Sequence, residues 1–241
     1  MDGKRTIIKA FIFDMDGLLV ETESIHMRAF DEFLRRNGVS PPPGYAAGLV
    51  GLSIADNIET IKRDFRLPGG NAALARERNA LYLEILEASR IEPLPGVAET
   101  FEYASAHGLK RAVCSSSERA QLDVVLPRLL DALKVAAKPA EFFDAIVSGD
   151  GIGRLKPAPD IYLACAKALG LAPAECVAFE DSPFGVEAAV GAGMHAVAVP
   201  SPFTKNAKGW RTPCVVDTLI DALKDGIVGT DSAGRVCFTG G

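Results

Sequence analysis

Ile7-Ile8-Lys9-Ala10-Phe11-Ile12-Phe13-Asp14-Met15-Asp16-Gly17 decides how the rest of the chain is read. A short apolar, β-prone run (residues 7–13) stops abruptly at two aspartates that flank a methionine and precede a glycine. Similar runs recur at residues 110–114, 145–148, 176–179 and 196–199. Each is too short for a typical helix, and the segments between them are long enough for crossover helices. The pattern predicts an α/β fold, a Rossmann-like parallel sheet with helices on both faces.

The gap between the first two runs is far longer than one crossover helix needs. Within it, residues 24–37, 53–65 and 71–89 carry helical patterns, with Ser53 as a plausible cap and Gly38 as a stop. Pro41-Pro42-Pro43-Gly44 and Pro68-Gly69-Gly70 break the pattern between them. The insertion is expected to form a small α-helical domain over residues 21–93, with the sheet domain built from 1–20 and 94–241. Pro93 and Pro95-Gly96 mark the return to the sheet. After Pro200 and Pro202, residues 215–223 read as a closing strand-to-helix segment, and the tail from Gly229 is weakly patterned.

Composition narrows the function classes. A formal charge of −5 gives no global attraction to nucleic acid or to an anionic membrane, although one cleft can still favour an anion locally. The five cysteines are scattered and include no C-x-x-C pair, which argues against a disulfide framework or structural zinc. Asp14 and Asp16 interrupt the first apolar run too early for a signal peptide or a membrane span. The expectation is a cytoplasmic protein, a monomer or weak homodimer, that binds neither nucleic acid nor membrane.

In an open parallel sheet, ligands bind beyond the carboxyl ends of the strands. The residues following the runs are Asp14-Met15-Asp16, then Ser115-Ser116-Ser117, then Gly149-Asp150 with Lys156-Pro157 beyond, then Glu180-Asp181-Ser182. Four strands thus deliver carboxylates, hydroxyls and an amine to one edge. Magnesium takes oxygen ligands, and Asp14, Asp181 and Glu180 offer them. A carboxylate can also attack phosphorus and form an aspartyl-phosphate, the part given to Asp14. Asp16 is placed to protonate the leaving oxygen and then activate water. Ser115 and Lys156 can hold phosphoryl oxygens. Asp150 either orients Lys156 or is a turn residue. The string Gly149-Asp150-Gly151-Ile152-Gly153 lacks the spacing of a dinucleotide loop and is not read as one.

These residues, in this order, resemble the haloacid dehalogenase superfamily. Asp14-Met15-Asp16-Gly17-Leu18-Leu19-Val20-Glu21-Thr22 is similar to its first motif, Ser115 to the second, Lys156-Pro157 to the third, and Glu180-Asp181-Ser182 to the fourth. The resemblance implies a magnesium-dependent enzyme whose helical insertion is a cap. It implies Asp14 as nucleophile and metal ligand, Asp16 as acid/base with its main-chain carbonyl on the metal, Asp181 as a metal ligand, and Glu180 as a direct or indirect one. Ser115, Ser116 and Thr22 become candidates for substrate contact. The superfamily's dehalogenases lack the second aspartate and use no metal, so Asp16 and the acidic fourth motif point away from dehalogenation.

Within the superfamily the chain is similar to the β-phosphoglucomutase-like subfamily. Its cap stretches Gly51-Leu52-Ser53 and Arg78-Asn79-Ala80-Leu81-Tyr82 carry the likeness, as does His26. His26 and Arg78 are therefore substrate-binding candidates. The mutase has an arginine after the cap serine, whereas Ile54 stands here and cannot make a bidentate phosphate contact. The expected activity is hydrolysis of a small phosphorylated metabolite, with a sugar phosphate the leading class. A phosphomutase is the nearest alternative. A phosphate-binding regulatory protein without turnover fits less well, because the large cap and the full motif set exceed what it needs.

Overall fold

The computed structural model describes residues 6–49 and 53–240. Gly51 and Leu52 of the cap stretch lie outside them. In chain order the elements are β1 (Thr6–Ile7), β2 (Ala10–Phe13), α1 (Glu23–Arg36), α2 (Ile54–Phe65), α3 (Asn71–Ala88), α4 (Val97–Ala106) and β3 (Lys110–Cys114). There follow α5 (Arg119–Ala132), α6 (Pro139–Phe142), β4 (Ala145–Val147), α7 (Asp160–Leu169), β5 (Cys176–Glu180) and α8 (Pro183–Gly191). The chain closes with β6 (His195–Ala198), α9 (Asp221–Lys224), β7 (Val228–Thr230) and β8 (Val236–Phe238). It divides into two compact units, Met1–Glu21 with Ile91–Gly241, and Thr22–Arg90.

The first unit is an α/β Rossmann-like domain. Its main sheet runs β4-β3-β2-β5-β6, and every pairing is parallel. Strand side chains alternate between faces, and here the two faces differ in size. Ala10 and Ile12, Ala112 and Cys114, Cys176 and Ala178, and Ala196 and Ala198 form one core with residues of α7 and α8. Mostly small side chains let these helices sit close to the strands. The opposite face is aromatic. Phe13 stacks on Phe179 at 5.3 Å, and Phe11 meets Phe179 edge-on at 5.1 Å. Phe101 of α4 closes over Phe13 at 5.1 Å. The sheet is therefore covered on both faces, and its carboxyl edge stays open for the residues that follow the strands.

Two sequence expectations change here. The run at residues 7–13 is two strands rather than one. Thr6 and Ile7 pair antiparallel with β8, while Ala10–Phe13 joins the parallel sheet. The switch falls at Lys9, an exposed residue ion-paired to Glu175 at 2.5 Å. The tail from Gly229 is also not unpatterned, because β7 and β8 form a hairpin that β1 extends into a small antiparallel sheet. Asp231 ties its turn by accepting from the backbone N–H groups of Ala233 and Arg235, both at 2.9 Å. Strands of three residues are too short for a readable alternation, and Gly229 blurs it further.

The second unit is helical. Phe30, Phe33 and Leu34 of α1, Ile58 and Ile61 of α2, and Leu74 and Leu81 of α3 form its core. Ser53 caps α2, its Oγ accepting from the Asp56 N–H at 3.1 Å. Among the described residues, no helix is long and apolar enough to cross a membrane.

Phe11 is fully buried among Phe13, Phe179 and Tyr103. Phe11→Ala is expected to lower the unfolding free energy by about 3–5 kcal/mol in urea denaturation. A loss below about 1 kcal/mol would contradict this packing.

Candidate active site

The sheet unit gathers Asp14, Asp16, Ser115, Ser116, Lys156, Glu180 and Asp181 beyond the carboxyl ends of β2, β3 and β5. Asp14 directly follows β2, the central strand, and its N–H bonds to the Phe179 carbonyl at 3.0 Å. The Lys156 ammonium lies between two carboxylates, 2.6 Å from Asp14 Oδ1 and 2.5 Å from Glu180 Oε1. Its third donor reaches the Cys114 carbonyl at 3.0 Å. Burial alone would lower the lysine pKa, but the Asp14 and Glu180 charges outweigh it and hold the ammonium above its ordinary range.

Glu180 is fully buried, and Oε1 accepts a second bond, from Tyr162 Oη at 2.5 Å. Burial pushes the Tyr162 hydroxyl well above its ordinary value, so it donates. Asp181 is held through its carbonyl, which accepts from Thr204 Oγ1 at 2.6 Å. Two glycines clear room for this cluster. A Cβ on Gly17, at φ +79°, would lie 2.3 Å from Asp181 Oδ2, and one on Gly185 would lie 1.9 Å from Glu180 Oε2.

Asp16 faces the serine loop after β3. Its Oδ2 accepts from Ser117 Oγ at 2.7 Å and from Ser115 Oγ at 3.2 Å. Ser115 is buried, and its Oγ in turn accepts from the Ser117 N–H at 3.1 Å. Ser116 is half-buried, with its carbonyl packed where a Cβ on Gly149 would stand. Asp150 is not a partner of Lys156. It accepts from the Arg119 N–H at 2.5 Å and from Ser148 Oγ at 3.3 Å, so it secures the start of α5.

Thr22, His26 and Arg78 belong to the helical unit. Thr22 is buried at the start of α1, and its carbonyl accepts from the His26 N–H at 2.9 Å. His26 Nδ1 stands 2.5 Å from Arg78 Nη2, and its ring stacks on Tyr82 at 3.9 Å. Burial, and then the Arg78 charge, push the histidine well below its usual range, so Nδ1 accepts from the guanidinium. Arg78 is itself fully buried, with its guanidinium over the Phe30 ring at 4.2 Å. Burial lowers it to about 10, which leaves it charged at neutral pH.

Asp14, Glu180 and Asp181 each offer a carboxylate oxygen within 4.8 Å of the others, and all three are buried. With all three ionised, three carboxylates against one ammonium leave two buried negative charges, which a divalent cation would neutralise. All-oxygen donors suit magnesium. Without such an ion, burial raises the Asp14 carboxyl to about 8; Lys156 opposes this, and the Glu180 and Asp16 charges add to it.

Sequence reasoning passed over Tyr162, Ser117 and Thr204. Ser117 stands in the quoted serine triplet. Tyr162 follows Lys156 by six residues, on a helix whose other buried side chains are apolar. Thr204 lies in the loop after Pro200 and carries no signal of its own.

Comparison with known proteins places the chain in a family. A family model described as haloacid dehalogenase-like hydrolase matches residues 8–193. The chain is 34% identical over 230 residues to Protein CbbY of Rhodobacter capsulatus, spanning 86% of this chain and 93% of that protein. It is 36% identical over 201 residues to fructose-1-phosphate phosphatase YqaB of Escherichia coli, spanning 78% and 94%. Among solved structures, CbbY of Rhodobacter sphaeroides in complex with xylulose-1,5-bisphosphate superposes with a TM-score of 0.75 at 27% identity, over 88% of this chain and 95% of that one.

Two outcomes follow from the geometry. Gly185→Ala should cut turnover by about tenfold or more, because its methyl would displace the Glu180 carboxylate; wild-type kcat would contradict the close packing. Below about pH 8 the metal-free Asp14 carboxyl is protonated, and metal binding must expel that proton. Calorimetry should therefore show magnesium affinity rising from roughly pH 6 to pH 8, with proton release. Affinity independent of pH would contradict it.

Proposed function

The chain belongs to the haloacid dehalogenase-like hydrolases and is a phosphatase; we propose that it hydrolyses a sugar phosphate, with magnesium bound, through an aspartyl-phosphate on Asp14. The observation that carries this reading is the buried Asp14 carboxylate at the end of the central strand, with Lys156 on one of its oxygens and Glu180 and Asp181 beside it. Asp14, Asp181, the Asp16 carbonyl and, directly or through a neighbour, Glu180 would hold the ion. When bound, magnesium supplies positive charge that lets an anionic phosphate approach a carboxylate.

The protein's own groups divide the work. Lys156 occupies Asp14 Oδ1, which leaves Oδ2 as the oxygen that attacks phosphorus. As the P–O bond to the sugar breaks, Asp16 gives its proton to the leaving oxygen. The same carboxylate then takes a proton from water as that water attacks the phosphoryl group. This releases phosphate and restores Asp14. Ser115, whose hydroxyl rests on Asp16 in this structure, turns to a phosphoryl oxygen, while Ser117 keeps its hold on Asp16. Ser116 supports the phosphoryl site from the same loop.

The sugar-phosphate class draws on the relatives, one named as a fructose-1-phosphate phosphatase and one solved with xylulose-1,5-bisphosphate. Hydrolysis is preferred to phosphomutation because Ile54 packs against the apolar core of the helical unit and offers no cation for a second phosphate.

Asp14→Asn should lower phosphate release by about a thousandfold or more, and chelation of magnesium should stop it reversibly. Substantial turnover in either case would sink the mechanism. Across a panel of phosphomonoesters, kcat/KM should be highest for sugar phosphates. Equal or better values for phosphoserine or a nucleotide would overturn the substrate class.

A further inference from the structure

We infer that Tyr162 is a positioning residue for phosphoryl transfer: its hydroxyl fixes the Glu180 carboxylate that anchors the Lys156 ammonium against Asp14. The inference rests on the reading of Asp14 as nucleophile and adds a residue to that centre.

Tyr162 is fully buried on α7, in the core of small side chains beneath the sheet. The same core includes Ala112, Cys114, Cys165 and Ala166, so packing alone would accept phenylalanine. A buried hydroxyl without a partner is costly, and a tyrosine here is favourable only if its Oη is satisfied. The partner is Glu180 Oε1, at 2.5 Å, the same oxygen that receives Lys156 at 2.5 Å. Glu180 Oε2 has a weaker hold, from Ser182 Oγ at 3.4 Å. The two close donors thus converge on one oxygen.

That convergence restrains a loose joint. Rotation about the terminal torsion of a glutamate is broad and nearly two-fold, so one donor defines its carboxylate poorly. A second donor on the same oxygen fixes it. The Lys156 ammonium depends on this, because it divides its donors among Asp14, Glu180 and the Cys114 carbonyl. The Tyr162 ring lies 5.2 Å from the ammonium and adds a face of favourable charge. If Glu180 turned, Lys156 would lose one anchor and its aim at Asp14 Oδ1. The substrate's sugar would be untouched, so the effect should fall on turnover rather than on binding.

The test uses Tyr162→Phe, which keeps the ring and removes only the hydroxyl. Tyr162→Phe, Glu180→Gln, their double variant and Asp14→Asn are assayed beside the wild type with a turned-over phosphomonoester. Tyr162→Phe should lower kcat by about tenfold with KM changed less than about twofold, and leave the melting temperature nearly unchanged. In the Glu180→Gln background the same change should have an effect below about twofold, because the hydroxyl acts through Glu180. Wild-type kcat in Tyr162→Phe, or losses that multiply in the double variant, would overturn the inference while an inactive Asp14→Asn leaves the nucleophile standing. An active Asp14→Asn would overturn the nucleophile itself, and this inference with it.

Discussion

One ammonium between two buried carboxylates governs this centre. Lys156 is within 2.6 Å of both Asp14 and Glu180, out of bulk water, where charge interactions are screened least. An isolated carboxylate in that position would take up a proton. With Lys156 present, the residual charge of the Asp14, Glu180 and Asp181 group suits a divalent cation. A bound divalent cation would balance that charge, and its binding would then depend on pH. The same lysine distinguishes the two Asp14 oxygens, and in the proposed mechanism it leaves one free to attack.

The fold serves that constraint. Parallel strands end at a common edge, so Asp14 from β2, the serine loop after β3 and the acidic pair that ends and follows β5 converge without long side chains reaching across space. The two faces of the sheet play different parts. The aromatic face fixes β2 and β5 against each other through Phe11, Phe13 and Phe179. The face of small residues lets α7 approach closely enough for Tyr162 to reach the acidic end of β5. Gly17 and Gly185 work at shorter range, each clearing the volume that a carboxylate occupies.

Much of this was legible in the sequence because the deciding signals are local. Apolar runs that stop at Asp14, Ser115 and Glu180 announce both strand ends and candidate site residues. Ser53 at the head of α2 is likewise readable as a cap. What stayed hidden depends on contacts between distant segments. Lys9 carries no mark that the chain changes sheets there. The hairpin of β7 and β8 consists of three-residue strands, and the pairing of β8 with β1 spans almost the whole sequence. Tyr162 looks like any residue of a helix core until its hydroxyl is seen against Glu180. The resemblance of residues 78–82 makes Arg78 a candidate for substrate contact. Its burial against Phe30, with a neutral histidine as its close partner, could not be read from spacing.

In the proposed mechanism phosphorus passes through a covalent bond to Asp14. Rapid quenching during turnover, borohydride reduction of the acyl phosphate and peptide mass spectrometry would locate that bond. Reduction of a single carboxylate is expected, at Asp14, dependent on substrate and lost when substrate is exhausted. Substrate-dependent modification at another residue, or none under conditions of steady turnover at several quench times, would contradict it.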